Sequence, residues 1–129
     1  MFLLDSSIVI AYFRASEPKH AQVKDWVNSM DGFTVSEHVL SEVATVLQIK
    51  ETKEIANQAL EFLSFNHAVL CLRLTQEELE MTIDLFLKQN EGISFIDASL
   101  LILAKERDLS LATLDKALAK SAKIRFPKH

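Results

Sequence analysis

The chain has 129 residues, of which 49% are hydrophobic and 25% charged, and its formal net charge is −4. That length suits one domain, residues 1–129, burying roughly two-thirds of its unfolded surface without staples, while the negative charge argues against a generic nucleic-acid coat. A single cysteine excludes an intrachain disulfide; no apolar run approaches the roughly 20 residues of a membrane span and no signal-peptide pattern opens the chain, so it reads as cytosolic.

In chain order, MFLL reads as a short buried strand, and SSIVIAYF as a short helix that Asp5 or Ser6 can cap. Pro18 suits the first turn of a helix from Lys19 to Met30, and Asp31-Gly32 is a turn before a strand at Phe33-Thr34-Val35. Ser36 caps a helix whose Val39, Leu40, Val43, Val46 and Leu47 recur at helical spacing. A further helix spans Thr52 to Phe65, and a strand His67 to Leu72. That strand holds Cys71, which reads as a small buried hydrophobe. Thr75 with Glu78 makes a capping box for a helix to about Asn90. Ser94 caps a helix to about Arg107, Leu109 to Thr113 is a strand, Asp115 to Ser121 a short helix, and Ala122 to Phe126 a last short strand. Two glycines and two prolines leave little material for long irregular loops.

Short apolar strands alternating with helices predict an α/β fold: a doubly wound parallel sheet of four to five strands flanked by helices, in a single domain. In such sheets ligands bind beyond the carboxyl ends of the strands. Asp5 stands at that end of the first strand and Asp115 just past that end of the fourth. Each also reads as a helix N-cap. Asp97 lies in FIDASLLILAKER, a helix apolar nearly all round, with Leu100, Leu101 and Ala104 on its own face. There it is either a first-turn acid favoured by the helix dipole or a carboxylate kept in a costly place for a reason. Glu42, three residues from Val39 and four from Val46, is either a flank charge or a member of the same set.

Taken together, the four acids can converge on one crevice. Like charges a few ångströms apart stay ionised only if a cation neutralises them, and carboxylates without His or Cys partners suit Mg²⁺ or Mn²⁺. His20, His38, His67 and His129 lack metal spacing, read as surface or loop residues, and argue against zinc. There is no G-x-S-x-G elbow, and DSSIVI stands where a dinucleotide site needs a glycine-rich turn.

In FLLDSSIVIAYF, VSEHVLSEVATVL and GISFIDASLLILAKERDLSLATLD the sequence resembles the PIN-domain ribonucleases, most closely the single-domain toxins of VapBC-type toxin–antitoxin pairs. The resemblance covers nearly the whole chain. It implies metal-dependent cleavage of RNA phosphodiester bonds, with Asp5, Glu42, Asp97 and Asp115 as catalytic metal ligands. Ser7 and Thr113 match small polar positions that either orient a carboxylate or water or simply cap turns. Arg14, Lys116 and Lys120 are candidates for steering RNA. The resemblance further implies a cognate small antitoxin as partner and a homodimer, and the aromatics Trp26, Phe62, Phe65 and Phe86 agree loosely, core packing being the plainer reading of each. Lys116, Ala117 and Leu118 follow Asp115 where a second acid sometimes stands, which lowers the expectation of a second tightly held metal; Ser6 stands where threonine is common.

Two other readings are weighed. A phosphoacceptor receiver domain needs paired acids after its first strand and an Asp after its third, whereas Ser6-Ser7 follows Asp5 and HAVLCLRLT has no acid. A catalytically idle PIN-like interaction module fits the fold, but retention of all four acids argues against it.

Overall fold

A computed structural model of the chain describes residues 1–89 and 92–122. In chain order the elements are β1 (Phe2–Leu4), α1 (Ser6–Phe13), α2 (His20–Asn28), β2 (Phe33–Ser36), α3 (Glu37–Lys50), α4 (Lys53–Phe65), β3 (Val69–Leu72), α5 (Gln76–Lys88), α6 (Phe95–Glu106), β4 (Ser110–Ala112) and α7 (Lys116–Ala122). The caps fall where Ser36, Thr75 and Ser94 predicted them, and α4 is capped as well, by Thr52. Ser36 accepts the Val39 N–H, Thr52 the Ile55 N–H, and Thr75 and Ser94 each form a reciprocal capping box. At α1 the cap is Asp5, which accepts from the Ser6 N–H.

The four described strands are all parallel and lie in the order β3-β2-β1-β4. The chain moves outward from β1 through β2 to β3, then returns to the other side of β1 for β4. Right-handed crossovers reverse faces when the direction of winding reverses. The α1 to α4 group therefore packs together on one side of the sheet, and α5 packs on α6 on the other. The reversal lies between β1 and β4, which makes their carboxyl ends the switch-point crevice of the sheet. Leu3, Leu4, Val35, Val39, Val43 and Leu103 are fully sealed in a core shared by strands and helices. Gly32 lets the turn before β2 run close under the lead into β3, since a Cβ there would sit 2.9 Å from the Ala68 carbonyl oxygen.

Two expectations change. Cys71 is exposed, and its neighbour Leu70 is 57% exposed. The reason is topological: β3 is a four-residue strand at the edge of the sheet, so the helices that seal β1 and β2 leave it open. Ala122 closes α7, and the rest of the strand expected over Ala122 to Phe126 lies outside the described residues.

One ion pair was not foreseen. Glu78, buried in the first turn of α5, accepts from Arg107 Nε at 2.9 Å and Nη2 at 2.6 Å, while Nη2 also donates to the Arg73 carbonyl at 2.6 Å. The same carboxylate completes the Thr75 capping box, accepting the Thr75 N–H at 2.8 Å. The Arg107 guanidinium, aided by the Thr75 donor and opposed by burial, holds the Glu78 carboxyl at about 2 instead of the ordinary 4.5. A carboxyl depressed on folding stabilises the fold above its unfolded pKa and loses that contribution as pH falls toward its folded value. Glu78→Gln should therefore cost about 2–3 kcal/mol at pH 7. The gap from the parent chain should close between about pH 5 and pH 2, as read by urea unfolding across pH.

Candidate active site

The site is built from chain ends of the sheet. β1 stops at Leu4 because Asp5 turns its backbone to cap α1, and the Asp5 N–H still donates to the Ala112 carbonyl at 2.9 Å, a last rung between β1 and β4. The carboxylate is only 4% exposed. Its Oδ1 accepts the Ser6 N–H at 2.8 Å; its Oδ2 accepts the Ser7 hydroxyl at 2.8 Å and the Thr113 hydroxyl at 2.6 Å. A buried carboxylate demands such donors.

Each hydroxyl carries one proton, so this donation fixes what else it can do. Ser7 Oγ then accepts from the Leu114 N–H at 2.9 Å, and Thr113 Oγ1 from the Asp115 N–H at 2.9 Å. The peptide N–H groups of the β4–α7 loop are thus relayed through two hydroxyls onto a single oxygen of Asp5. Ser6 Oγ donates to Glu42 Oε1, bridging α1 to α3.

Asp115 begins α7, its Oδ1 accepting the Leu118 N–H at 3.0 Å, and is exposed to the crevice mouth. Asp97, half-buried in the first turn of α6, sits in a capping box: Oδ2 accepts the Ser94 N–H at 3.0 Å and its own N–H donates to Ser94 Oγ at 3.1 Å. The first-turn capping role of Asp97 is thus observed, and the same carboxyl lies within the field of Asp5 and Asp115. Burial pushes its carboxyl above the usual range. The negative charges of Asp5 and Asp115 push the same way, against the hydrogen bonds from Ser94.

Asp5, Glu42, Asp97 and Asp115 are thus gathered from four segments: Asp5 and Glu42 linked through Ser6, Asp5 and Asp115 through Thr113, and Asp97 by its field. Among the described residues no three His, Cys, Asp or Glu side chains form a ready-made metal cage. The donor chemistry nevertheless fits a hard cation: every group is a carboxylate oxygen, and the repulsion felt by Asp97 is what such an ion would relieve.

The cations divide. Lys116 and Lys120 are exposed on α7, immediately after Asp115 and one turn on. Arg14 lies past the far end of α1, nine residues or about 13 Å from Asp5, with Nε on Glu51 at 2.8 Å and Nη1 on Glu17 at 3.1 Å, so the structure does not bring it to the crevice. Sequence reasoning undervalued Ser6, whose partner Glu42 is 36 residues away, and His38, which stands one turn before Glu42 on α3 and is half-buried rather than loose on the surface.

The family model of the PIN domain matches residues 2–124. Ribonuclease VapC26 of Mycobacterium tuberculosis is 30% identical over 125 residues, spanning 88% of this chain and 86% of that protein. Among solved structures, VapC20 of the same organism, described as a sarcin-ricin loop cleaving toxin, superposes with a TM-score of 0.86 at 18% identity over 94% of this chain and 95% of that one. A toxin–antitoxin complex from Klebsiella pneumoniae gives a TM-score of 0.69 at 19% identity over 100% and 99%.

The hydroxyl relay should be visible in stability. Ser7→Ala and Thr113→Val each orphan a peptide N–H and remove a donor from Asp5, and each should cost about 1–3 kcal/mol in urea unfolding. Because both act on Asp5 Oδ2, the double variant should cost less than the sum, a coupling that independent turn caps would not show.

Proposed function

Because this chain belongs to the PIN-domain family, we propose that it is a metal-dependent endoribonuclease that hydrolyses RNA phosphodiester bonds, and the toxin of a toxin–antitoxin pair. The observation that carries the reading is the convergence of four acids at the switch point of the sheet, where Asp97 feels the charges of Asp5 and Asp115. Asp5, Glu42, Asp97 and Asp115 would hold Mg²⁺ or Mn²⁺, whose chemistry is to acidify a bound water and to neutralise charge growing on the phosphate.

The chain's own residues supply geometry. Ser6 orients Glu42, Ser7 and Thr113 fix Asp5, and Ser94 fixes Asp97, so the carboxylates are held before RNA arrives. That preorganisation is the protein's part in lowering the barrier. Lys116 and Lys120 offer exposed positive charge beside an otherwise acidic crevice, and would draw the phosphate backbone in against the chain's net charge of −4.

The antitoxin is proposed because a structural neighbour is a toxin–antitoxin complex, and a homodimer because Ile83 and Leu87 on α5 are 42% and 75% exposed. No helix among the described residues is long and apolar enough to cross a membrane, which fits the cytoplasmic location that an RNA substrate would require.

Asp5→Asn should abolish RNA cleavage in Mg²⁺ or Mn²⁺ while circular dichroism shows a folded chain, and EDTA should silence the parent protein. Cleavage at the parent rate in either case would overturn the nuclease reading. Lys116→Ala with Lys120→Ala should weaken RNA binding across sequences and flatten its salt dependence by roughly one to two units of slope. Expression without a cognate antitoxin should arrest growth, and sequencing of the new RNA ends would identify the target.

A further inference from the structure

We propose that Ser6 is a positioning residue that sets the affinity of the acidic crevice for its divalent cation, acting through Glu42; this rests on the metal-dependent nuclease reading. The four acids are not held alike. Asp5 Oδ1 accepts the Ser6 N–H at 2.8 Å, Asp97 Oδ2 the Ser94 N–H at 3.0 Å, and Asp115 Oδ1 the Leu118 N–H at 3.0 Å. Each of these carboxylates is pinned by the backbone of its own turn, so its place comes with the helix start it belongs to. Glu42 lies inside α3, past the first turn, where the backbone N–H groups already serve the helix. Its carboxylate has to find a side chain, and among the described residues the Ser6 hydroxyl is the hydrogen-bond partner it has. A glutamate also has one more side-chain torsion than an aspartate, hence more freedom to lose when a cation binds.

Ser6 divides its two donors between two acids. The N–H goes to Asp5 and the hydroxyl proton to Glu42, with the hydroxyl oxygen also 3.4 Å from Asp5 Oδ1. One residue, only 7% exposed, therefore stands between two like charges from segments 36 residues apart. Carboxylates so placed repel, and a proton donated between them offsets that repulsion before a cation arrives. A ligand already in place loses less freedom on binding, and the difference appears as affinity. Asp5, Asp97 and Asp115 keep backbone donors without this hydroxyl; Glu42 does not. Ser6→Ala retains the N–H that Asp5 accepts, so it removes the hydroxyl and leaves the cap of α1 in place.

The test uses the full chain and Mn²⁺ alone, without RNA, with free Mn²⁺ read by electron paramagnetic resonance. Ser6→Ala should weaken Mn²⁺ binding about 10- to 100-fold. Ser6→Thr, which keeps a hydroxyl, should restore it. Thr82→Val removes a buried hydroxyl that donates within α5, to the Glu78 carbonyl at 2.8 Å, and should bind Mn²⁺ as the parent does. With an RNA oligonucleotide added, cleavage by Ser6→Ala should lag at low Mn²⁺ and reach the parent rate as Mn²⁺ saturates, a split that general damage to the fold does not give. Parent-like Mn²⁺ affinity in Ser6→Ala, a Ser6→Thr chain as weak as Ser6→Ala, a cleavage defect that persists at saturating Mn²⁺, or a parent chain that binds no Mn²⁺ each overturns the role. Mn²⁺-dependent cleavage by the parent with unaltered affinity in Ser6→Ala sinks this role and leaves the nuclease reading intact. Mn²⁺ binding that Ser6→Ala weakens, in a parent chain that cuts no RNA, sustains the role and sinks the nuclease reading.

Discussion

Two hydroxyl protons on one oxygen of Asp5 hold the site together. Ser7 and Thr113 both donate to Oδ2, and both in turn accept peptide N–H groups from the loop that follows β4. The carboxylate is buried, so it needs donors; the loop has N–H groups that need acceptors; the two hydroxyls serve both at once. Removing the charge would loosen the β4–α7 loop along with any ligand. Structure and site are the same hydrogen bonds.

Where that knot sits follows from the strand order. Reversal of winding between β1 and β4 leaves a crevice at their carboxyl ends, and the residues that must leave the sheet there are Asp5 and the Thr113–Asp115 turn. Polar caps are what a strand-to-helix turn wants, so the fold places carboxylates and hydroxyls at the crevice at little cost in stability. Glu42 and Asp97 enter from helices that pack beside it, each fixed by a serine that also belongs to a helix start. The Glu78–Arg107 pair does for the α5–α6 side what the Asp5 relay does for the switch point: it ties a helix start to a helix end across 29 residues.

Much of this was legible in the chain. Strand and helix order and the caps at Ser36, Thr75 and Ser94 follow from periodicity and short polar residues acting within a turn or so, and the candidate acids from their places at strand ends and helix edges together with the family resemblance. The two readings of Asp97 are compatible, because the capping box engages one carboxylate oxygen, Oδ2, of the two. What failed did so where the neighbour across the sheet decides. Cys71 and Leu70 read as core because their run is apolar, yet an edge strand has no second neighbour to seal it. Arg14 read as close to the first acid because it is close in sequence, yet a helix carries nine residues of separation away from the crevice.

By itself, then, the sequence determined the alternation of strand and helix and most of the caps, since these depend on contacts within about four residues, and it offered the four acids as candidates. Only the tertiary structure decided that Thr113 reaches Asp5 across 108 residues, that Ser6 serves Glu42 across 36, and that His38 lies against Phe95. The physical reason is that such pairings are set by strand order and helix crossing, which bring together segments whose separation along the chain carries no local signal.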